Sequence, residues 1–188
     1  MVLAKAAPGG DAPTMPAGFH LRPPRPGDIG WVISRHGALY AEEYGWDITF
    51  EAMVAEIAAG FIRDFDPARE ACWIAERGGA VVGSAFLVKH GEDTAKIRLV
   101  YVEPSARGLG IGAAMVAACI AFARARGYRR VTLWTHSILV AARRLYERAG
   151  FRLVAAEPHR SFGHDLVAET WELVLEDAPV MAGQPITG

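Results

Sequence analysis

The sequence lacks the features that mark several large classes of protein. Only two cysteines occur among its 188 residues, Cys72 and Cys119, and each lies in an apolar run. Neither belongs to a disulfide framework or to a metal-binding spacing, so we expect both to pack as small apolar residues in a reducing compartment. No apolar run near the N-terminus is long enough to span a membrane. These absences predict a cytoplasmic protein with no metal site and no membrane anchor.

An excess of charge of either sign is also missing. Lys and Arg total 20, Asp and Glu total 21, the formal net charge is −1 and the pI is near 6.6. A nucleic-acid-binding protein usually carries a clustered basic excess, so we expect no nucleic-acid partner. Hydrophobic residues make up 52% of the chain, which indicates one globular domain. We expect that domain at residues 18–176, after a disordered leader at 1–17 and before a flexible tail at 177–188.

Hydrophobic periodicity predicts eleven elements in the order β-α-α-β-β-β-α-β-α-β-β. Asp28 and Thr49 stand where residues capping the first two helices are expected, and "ERGGA" between two β-rich runs is typical of a hairpin. The last two strands, "FRLVAAE" and "ETWELVLE", are expected to flank the polar loop "PHRSFGHDLVA". The order predicts a mixed α/β (α+β) fold with a twisted sheet of about six or seven strands and flanking helices.

The segment "EPSARGLGIGAAM" has an unusual density of glycine. It follows the strand-like run "KIRLVYV" and leads into an apolar helix, with glycines at positions 108, 110 and 112. A glycine-rich turn before a helix favours anion binding, because the first N–H groups of the helix are unpaired and the helix dipole adds positive charge. The phosphate loop of nucleotide hydrolases would need Gly-Lys-Ser/Thr, and the dinucleotide fingerprint would need GxGxxG near the start of the fold. Neither pattern is present.

Two motifs together resemble the GCN5-related N-acetyltransferases (GNAT). Arg107, Gly110 and Gly112 fill the fixed positions of that family's acyl-CoA loop, Arg/Gln-x-x-Gly-x-Gly/Ala. "LYERAGF", from Leu145 to Phe151, matches the signature that the family carries one β-α unit later. The resemblance covers residues 19–175. Within the family, "TLWTHSILVAARRLYERAGF" and "SFGHDLVAETWEL" look most similar to acetyltransferase modules of MarR fusion proteins, here without the DNA-binding half.

The resemblance implies a binding site for acetyl-CoA. It places the pantetheine arm in a gap where the strand "LVYV" diverges from its neighbour at a bulge, and the pyrophosphate on the glycine loop. The cofactor-binding residues that it implies are Val100, Tyr101, Val102, Arg107, Gly108, Leu109, Gly110, Ile111, Gly112 and Tyr146. It also implies that Tyr146 is the general acid that protonates the departing thiolate.

The sequence does not identify a general base. Lys96 and Trp134 stand where relatives often carry Glu, and Leu139 stands where relatives often carry Asn. Weak candidates for the base or for substrate contacts are carboxylates at the end of the first helix, Glu42 and Glu43, and histidines of the polar loop, above all His164. A base that acts through water is an alternative. Glu103 is expected to lie in solvent at the end of its strand.

The expected function is direct transfer of an acetyl group to a primary amine, on a small molecule or a lysine-like side chain. No cysteine lies in the loop strand to form an acyl-enzyme, and Trp134 argues against peptide N-termini as acceptors. The alternative is a non-catalytic acyl-CoA-binding sensor or interaction domain of the same fold, or transfer of an acyl group other than acetyl. A homodimer is expected because edge strands of this fold often pair between subunits.

Overall fold

The structure of the protein is a computed structural model, and it describes residues 18–175. The predicted leader, the predicted tail and residue 176 lie outside this range. Within it, seven strands and four helices follow in the predicted order. They are β1 His20–Arg22, α1 Asp28–Tyr44, α2 Ile48–Asp64, β2 Ala71–Arg77, β3 Ala80–Lys89, β4 Thr94–Val102, α3 Ile111–Ala125, β5 Arg130–His136, α4 Val140–Arg148, β6 Arg152–Ser161 and β7 His164–Val174.

All seven strands form one sheet in the order β1-β2-β3-β4-β5-β7-β6. The central pair β4–β5 is parallel, and every other neighbouring pair is antiparallel. This confirms the predicted mixed sheet, whose one parallel contact is the β-α-β unit formed by β4, α3 and β5.

Alternate residues of the central strands divide the core between the two faces of the sheet. Phe86 packs in a cluster with Val32 of α1 and Phe61 of α2. Leu87, the next residue, packs in the cluster that contains Met115 of α3. The sheet therefore separates α1 and α2 from α3, as expected when side chains of a strand alternate between its faces.

Both predicted helix caps are wrong by one or two residues. Gly27, with φ +99°, precedes α1, and Asp28 is its first residue. The Asp28 carboxylate accepts hydrogen bonds from the Arg22 guanidinium, at 2.6 and 3.2 Å. Asp47 caps α2 by accepting a hydrogen bond from the N–H of Thr49, at 2.9 Å. Asp has a carboxylate that reaches the N–H two residues on, and here that carboxylate replaces the expected hydroxyl of Thr49.

The predicted polar loop between the last strands is also wrong. β6 and β7 continue as a long hairpin to Ser161 and His164, which pair with each other. The turn consists of Phe162 and Gly163 only, both with positive φ, which is the conformation favoured in two-residue hairpins. β6 is an outer strand, and nearly all of it is exposed. Polar residues are as suitable for an exposed strand as for a loop, so polarity alone could not distinguish the two.

None of the helices between residues 18 and 175 combines the length and the apolar character needed to cross a membrane. Cys72 and Cys119 are both buried and unpaired, as expected for cysteines that pack as apolar residues.

Candidate active site

The sheet opens along the second half of β4. β4 pairs with β5 only from Thr94 to Ile97, opposite residues 130–133. On its other side β4 pairs with β3, where Ser84 lies opposite Tyr101 and Phe86 lies opposite Arg98. Between these two pairs, β4 has one residue more than β3. β4 therefore contains a bulge, as the resemblance predicted, and beyond the bulge it runs apart from β5.

The bulge centres on Leu99, which has φ +49°. This conformation is unfavourable for a branched side chain and needs support from its surroundings. Support comes from Ser84, a fully buried residue whose hydroxyl donates a hydrogen bond of 3.0 Å to the carbonyl oxygen of Leu99. The bulge next to the gap between β4 and β5 is therefore stabilised by a specific hydrogen bond.

The three glycines of the glycine loop have two different physical roles. Gly108 and Gly110 both have φ +80°, a conformation that glycine adopts without strain, and Gly110 precedes the first residue of α3. A Cβ added to Gly112 would lie 3.3 Å from Leu145 Cδ2 and 3.7 Å from Val102 Cγ2. Two glycines thus set the backbone, and the third allows Leu145 and Val102 to pack closely against the start of α3.

A cleft, which we call the glycine-loop cleft, runs from this loop to the gap in the sheet. Its walls come from α1, the end of β4, the glycine loop and α4. The residues that line it include Tyr40, Glu43, Tyr44, Val100, Tyr101, Val102, Arg107, Gly108, Gly110, Ile111, Gly112, Ala113, Leu139, Ala142, Leu145 and Arg148. The cleft therefore lies beside the first N–H groups of α3, which have no partner inside the helix.

A second cavity, the histidine cavity, lies on the other side of the same gap and shares Tyr40, Val100, Leu139 and Ala142 with the cleft. It is bounded by α1, α2 and the diverging halves of β4 and β5. Its other lining residues are His36, Trp46, Phe50, Met53, Ile57, Lys96, Ile97, Arg98, Leu99, Trp134, Thr135, His136 and Tyr146. A molecule in the cavity and a molecule in the cleft would thus meet near Val100.

Tyr146 of α4 follows the shared residue Ala142 by about one helical turn. It is buried at 6% exposure and lines the histidine cavity. Burial raises the pKa of its phenol far above the usual value of about 10, with smaller contributions from Tyr40 and Cys119. The phenol is therefore protonated at neutral pH and can act as a hydrogen-bond donor.

A histidine pair connects the cavity to the surface. Nε2 of His136, the last residue of β5, lies 3.1 Å from Nε2 of His159 on β6. Nδ1 of His159 lies 3.0 Å from the hydroxyl of Ser161, and both of these β6 residues are partly exposed. Burial, followed by the neighbouring His159, lowers the pKa of His136 to about 4. His136 is therefore neutral at pH 7, and no other described side chain bonds to its Nδ1.

A second neutral histidine borders the cavity from α1. The Nδ1–H of His36 donates to the carbonyl oxygen of Val32 at 2.8 Å, an assignment that follows from the carbonyl being an acceptor. Burial lowers the pKa of His36 to about 4. The ring stacks on Tyr40, at 5.9 Å between centroids and 9° between planes. No chain of hydrogen bonds among the described residues leads from His36 to the surface.

The carboxylates predicted at the end of α1 do not line the histidine cavity. Glu43 lies at the glycine-loop cleft, where its Oε1 is 2.8 Å from Nη2 of Arg107. Glu42 is exposed and lines neither space. A helix turns by about 100° per residue, so adjacent carboxylates on α1 point in different directions. Glu103 was expected in solvent, but it forms two hydrogen bonds with Arg35 of α1, at 2.5 and 3.0 Å.

Two further predicted site residues lie away from the cavities. His164 is exposed, and its Nε2 lies 2.9 Å from the carbonyl oxygen of Gly45, where it links the hairpin to the end of α1. The side chain of Leu109 packs against the core of α3 and does not line the glycine-loop cleft. The other implied cofactor-binding residues line the cleft or, in the case of Tyr146, the histidine cavity.

Sequence reasoning did not single out His136, which the structure places in the lining of the histidine cavity. A signal was available, because side chains two apart in a strand share a face. His136 lies two residues after Trp134, the position at which relatives often carry the base, so both were bound to border the same space. Arg148, which lines the glycine-loop cleft, was also not predicted.

Among residues 18–175, no group of three or more His, Cys, Asp or Glu side chains is arranged to hold a metal ion.

Comparison with known proteins bears on what this site is. The model of the acetyltransferase (GNAT) family matches residues 36–151. The mycothiol acetyltransferase of Thermobispora bispora is 33% identical over 150 residues, which are 74% of this chain and 48% of that protein. An uncharacterised N-acetyltransferase of Schizosaccharomyces pombe is 31% identical over 122 residues, 64% of this chain and 73% of that protein. The chain spans about half the length, or less, of the mycothiol acetyltransferases that it matches.

Solved structures agree on the fold. The Salmonella typhimurium protein yncA, determined with acetyl-CoA, matches with a TM-score of 0.68 at 20% identity and covers 86% of this chain and 96% of its own. The ribosomal-protein-alanine N-acetyltransferase of Brucella melitensis matches with a TM-score of 0.67 at 22% identity, over 82% of this chain and 99% of its own. With two cavities meeting at a split sheet, a glycine loop at a helix start and a family match over more than half of its length, the chain belongs to the acetyltransferase (GNAT) family.

Proposed function

We propose that this chain transfers the acetyl group of acetyl-CoA directly to the nitrogen of a primary amine. One observation carries the proposal. The glycine-loop cleft and the histidine cavity meet at Val100, where β4 leaves β5. A donor in one space and an acceptor in the other would be held against each other, and such positioning can lower a reaction barrier by about 7–11 kcal/mol at best.

The glycine-loop cleft fits the donor. The open space beside Gly108 and Gly110 and the unpaired N–H groups at the start of α3 suit a pyrophosphate. Arg148 adds positive charge along the same cleft, where Arg107 is paired with Glu43. Acetyl-CoA supplies an activated thioester, and the backbone of residues 98–102, which is not paired with β5, offers main-chain groups to its carbonyl oxygen.

Tyr146 is proposed to stabilise the departing sulfur. Its raised pKa keeps the phenol protonated. Full proton transfer to a thiolate, whose conjugate acid has a pKa of about 8.5, would run uphill from such a phenol. The hydroxyl is therefore assigned the role of a hydrogen-bond donor to the sulfur, which then takes its proton from solvent.

His136 is proposed to receive the proton of the amine, through a relay that avoids charging its ring. If Nε2–H of His136 donates to His159, then Nδ1 of His136 carries the lone pair that faces the acceptor. The amine proton goes to Nδ1 as the Nε2 proton passes to His159, and the Nδ1 proton of His159 leaves through Ser161 to solvent. A histidine with a pKa of about 4 is a weak base alone, and the relay removes that difficulty because His136 gains one proton as it loses another and its ring never becomes charged.

Direct transfer is supported by the state of the cysteines. Cys72 and Cys119 are buried, line neither space, and have thiol pKa values that burial raises well above the ordinary range. A thiol in that state is a poor nucleophile, so an acyl-enzyme is not expected from either.

The test is release of CoA thiol from acetyl-CoA across a panel of primary amines, together with calorimetric binding of CoA. We expect turnover on at least one group of amines, and a kcat at least 10-fold lower in Tyr146→Phe with little change in KM for acetyl-CoA. CoA binding without turnover on any amine would replace this proposal by the non-catalytic sensor. Unchanged turnover of Tyr146→Phe across pH would remove Tyr146 from the mechanism.

Three finer predictions from the sequence stay predictions. They are the homodimer, the cytoplasmic location and the similarity to modules of MarR fusion proteins. The mass of the protein in sedimentation equilibrium tests the first.

A further inference from the structure

Two positive side chains stand in the histidine cavity without a countercharge. Lys96 and Arg98 lie two residues apart on β4 and both line the cavity. Both are partly buried. Neither forms an ion pair or a hydrogen bond with any of the residues that the structure describes, and no Asp or Glu lines the cavity.

Three other arginines of the described chain are paired with carboxylates. Arg107 in the glycine-loop cleft is paired with Glu43, and Arg35 near the middle of α1 is paired with Glu103. Arg22 lies between two carboxylates, those of Asp28 and Glu76. Lys96 and Arg98 differ from these three arginines in being partly buried charges with no carboxylate partner among the described residues.

Without a bound anion, these two partly buried positive charges are energetically unfavourable. Taking a charge out of water is unfavourable unless an opposite charge compensates for it, and two like charges side by side add repulsion. Burial lowers the pKa of Lys96, with Arg98 as the second cause, and burial lowers the pKa of Arg98 as well. An anion placed between these side chains would remove both penalties. A guanidinium also matches a carboxylate with two parallel hydrogen bonds.

The spacing along β4 sets the distance from the reaction centre to the charge. Arg98 precedes Val100 by two residues, with the bulged Leu99 between them, and Lys96 precedes Val100 by four, so Arg98 is the nearer charge along the strand. An amine held near Val100 and His136 would reach Arg98 with an anionic group a few bonds away. The aromatic and apolar remainder of the lining, including Trp46, Phe50 and Met53, suits a carbon skeleton between the two ends.

We propose that the acceptor is a small amine that also carries an anionic group, as a free amino acid does, and that Lys96 and Arg98 bind this group. The inference rests on the proposed function for its account of the amine. Arg98 is the sharper probe of the two, because a guanidinium keeps its proton whereas Lys96 could also exchange one.

The test compares each anionic acceptor with a matched uncharged analogue, in which an amide replaces the carboxylate. Thiol release is measured with free amino acids, with their amides, and with aminoalkylphosphonates that offer the other common anion. For the preferred acceptor, we expect kcat/KM to exceed that of the amide by at least 10-fold. In Arg98→Met this preference should fall below about threefold, with little change for the amide. Arg152→Met, which replaces an exposed arginine of β6 that lines neither space, should behave as the wild type.

Binding separates this inference from the proposed function. The same amino acids and amides are titrated into the complex with CoA, and the dissociation constants of wild type and Arg98→Met are compared. Amino acids that bind more tightly than their amides, only while Arg98 is present, support the anion site even if no amine turns over. Equal rates and equal affinities for acids and amides, or a preference that survives Arg98→Met, would overturn it. The phosphonate arm shows whether the site selects carboxylates or takes both anions.

Discussion

At the scale of single residues, the proposed relay makes His136 the side chain whose loss should be felt most. Its Nε2 is bonded to His159 and its Nδ1 is free for the acceptor. We expect His136→Asn to lower kcat/KM at pH 7 by about 100-fold, the lower end of the effect of a general base. The difference in kcat/KM between the wild type and His136→Asn should become smaller as the pH approaches the pKa of the amine, because more of the amine is then already deprotonated in solution. The pH–rate profile measures this.

The control for this variant is His20→Asn, which replaces a partly exposed histidine of β1 that lines neither space. His159→Asn should lose less, about 10-fold, because water can accept the proton in its place. A His136→Asn enzyme with the wild-type pH profile would exclude the relay and leave His36 as the remaining neutral histidine of the cavity.

His36 makes a prediction about stability. In the folded protein burial lowers its pKa to about 4, against about 6.5 in an unfolded chain. Between these values the unfolded state binds the extra proton, so the free energy of unfolding falls as the pH falls from about 6.5 towards 4. The full effect is up to about 3 kcal/mol, and His36→Phe should remove it while keeping an aromatic ring beside Tyr40 and Phe50. Urea unfolding from pH 7.5 to 4.5 tests this, and equal pH slopes in both proteins would contradict it.

At the scale of elements, the bulge in β4 is what separates the two halves of the site. Ser84 holds it through one hydrogen bond to Leu99, so Ser84→Ala should cost about 1 kcal/mol of unfolding free energy. It should also lower kcat/KM for acetyl-CoA by about 10-fold or more, because small displacements of positioning groups are costly in rate.

The chain offers a matched control for that variant. Thr132 also makes a buried hydrogen bond to a main-chain carbonyl, that of Trp171 at 3.2 Å, but it lines neither space. Thr132→Val should cost a similar free energy of unfolding and leave kcat/KM within about twofold. Equal kinetic losses in the two variants would mean that the bulge has no special role.

The elements also show how far sequence reasoning reached. The order of helices and strands follows from hydrophobic periodicity and was predicted, and the family confirms the fold, the enzyme class and the acetyl-CoA cosubstrate that the motifs implied. The failures share a cause. The caps, the β6–β7 hairpin and the direction of Glu43 depend on which partner a side chain or strand meets in space. Polarity and spacing along the chain do not contain that information.

At the scale of the whole molecule, charge is balanced overall and unbalanced locally. The formal net charge is −1, so attraction of an anionic acceptor would come from Lys96 and Arg98 rather than from the protein as a whole. No Asp or Glu lines the histidine cavity, and Lys96 and Arg98 are the charged side chains that line it. The sign of the charge in the cavity therefore follows from its own lining residues.

This local origin makes a prediction about salt. The Debye length falls from about 10 Å at 0.1 M to about 3 Å at 1 M, which weakens attraction between a partly exposed site and a charged ligand. We expect the KM of an anionic acceptor to rise several-fold between 0.1 and 1 M KCl, while the KM of its amide changes by less than about twofold. Arg98→Met should flatten the dependence for the anion, because half of the attracting charge is gone. A KM that responds to salt equally for acid and amide, or equally in wild type and Arg98→Met, would show that these two charges do not select the acceptor.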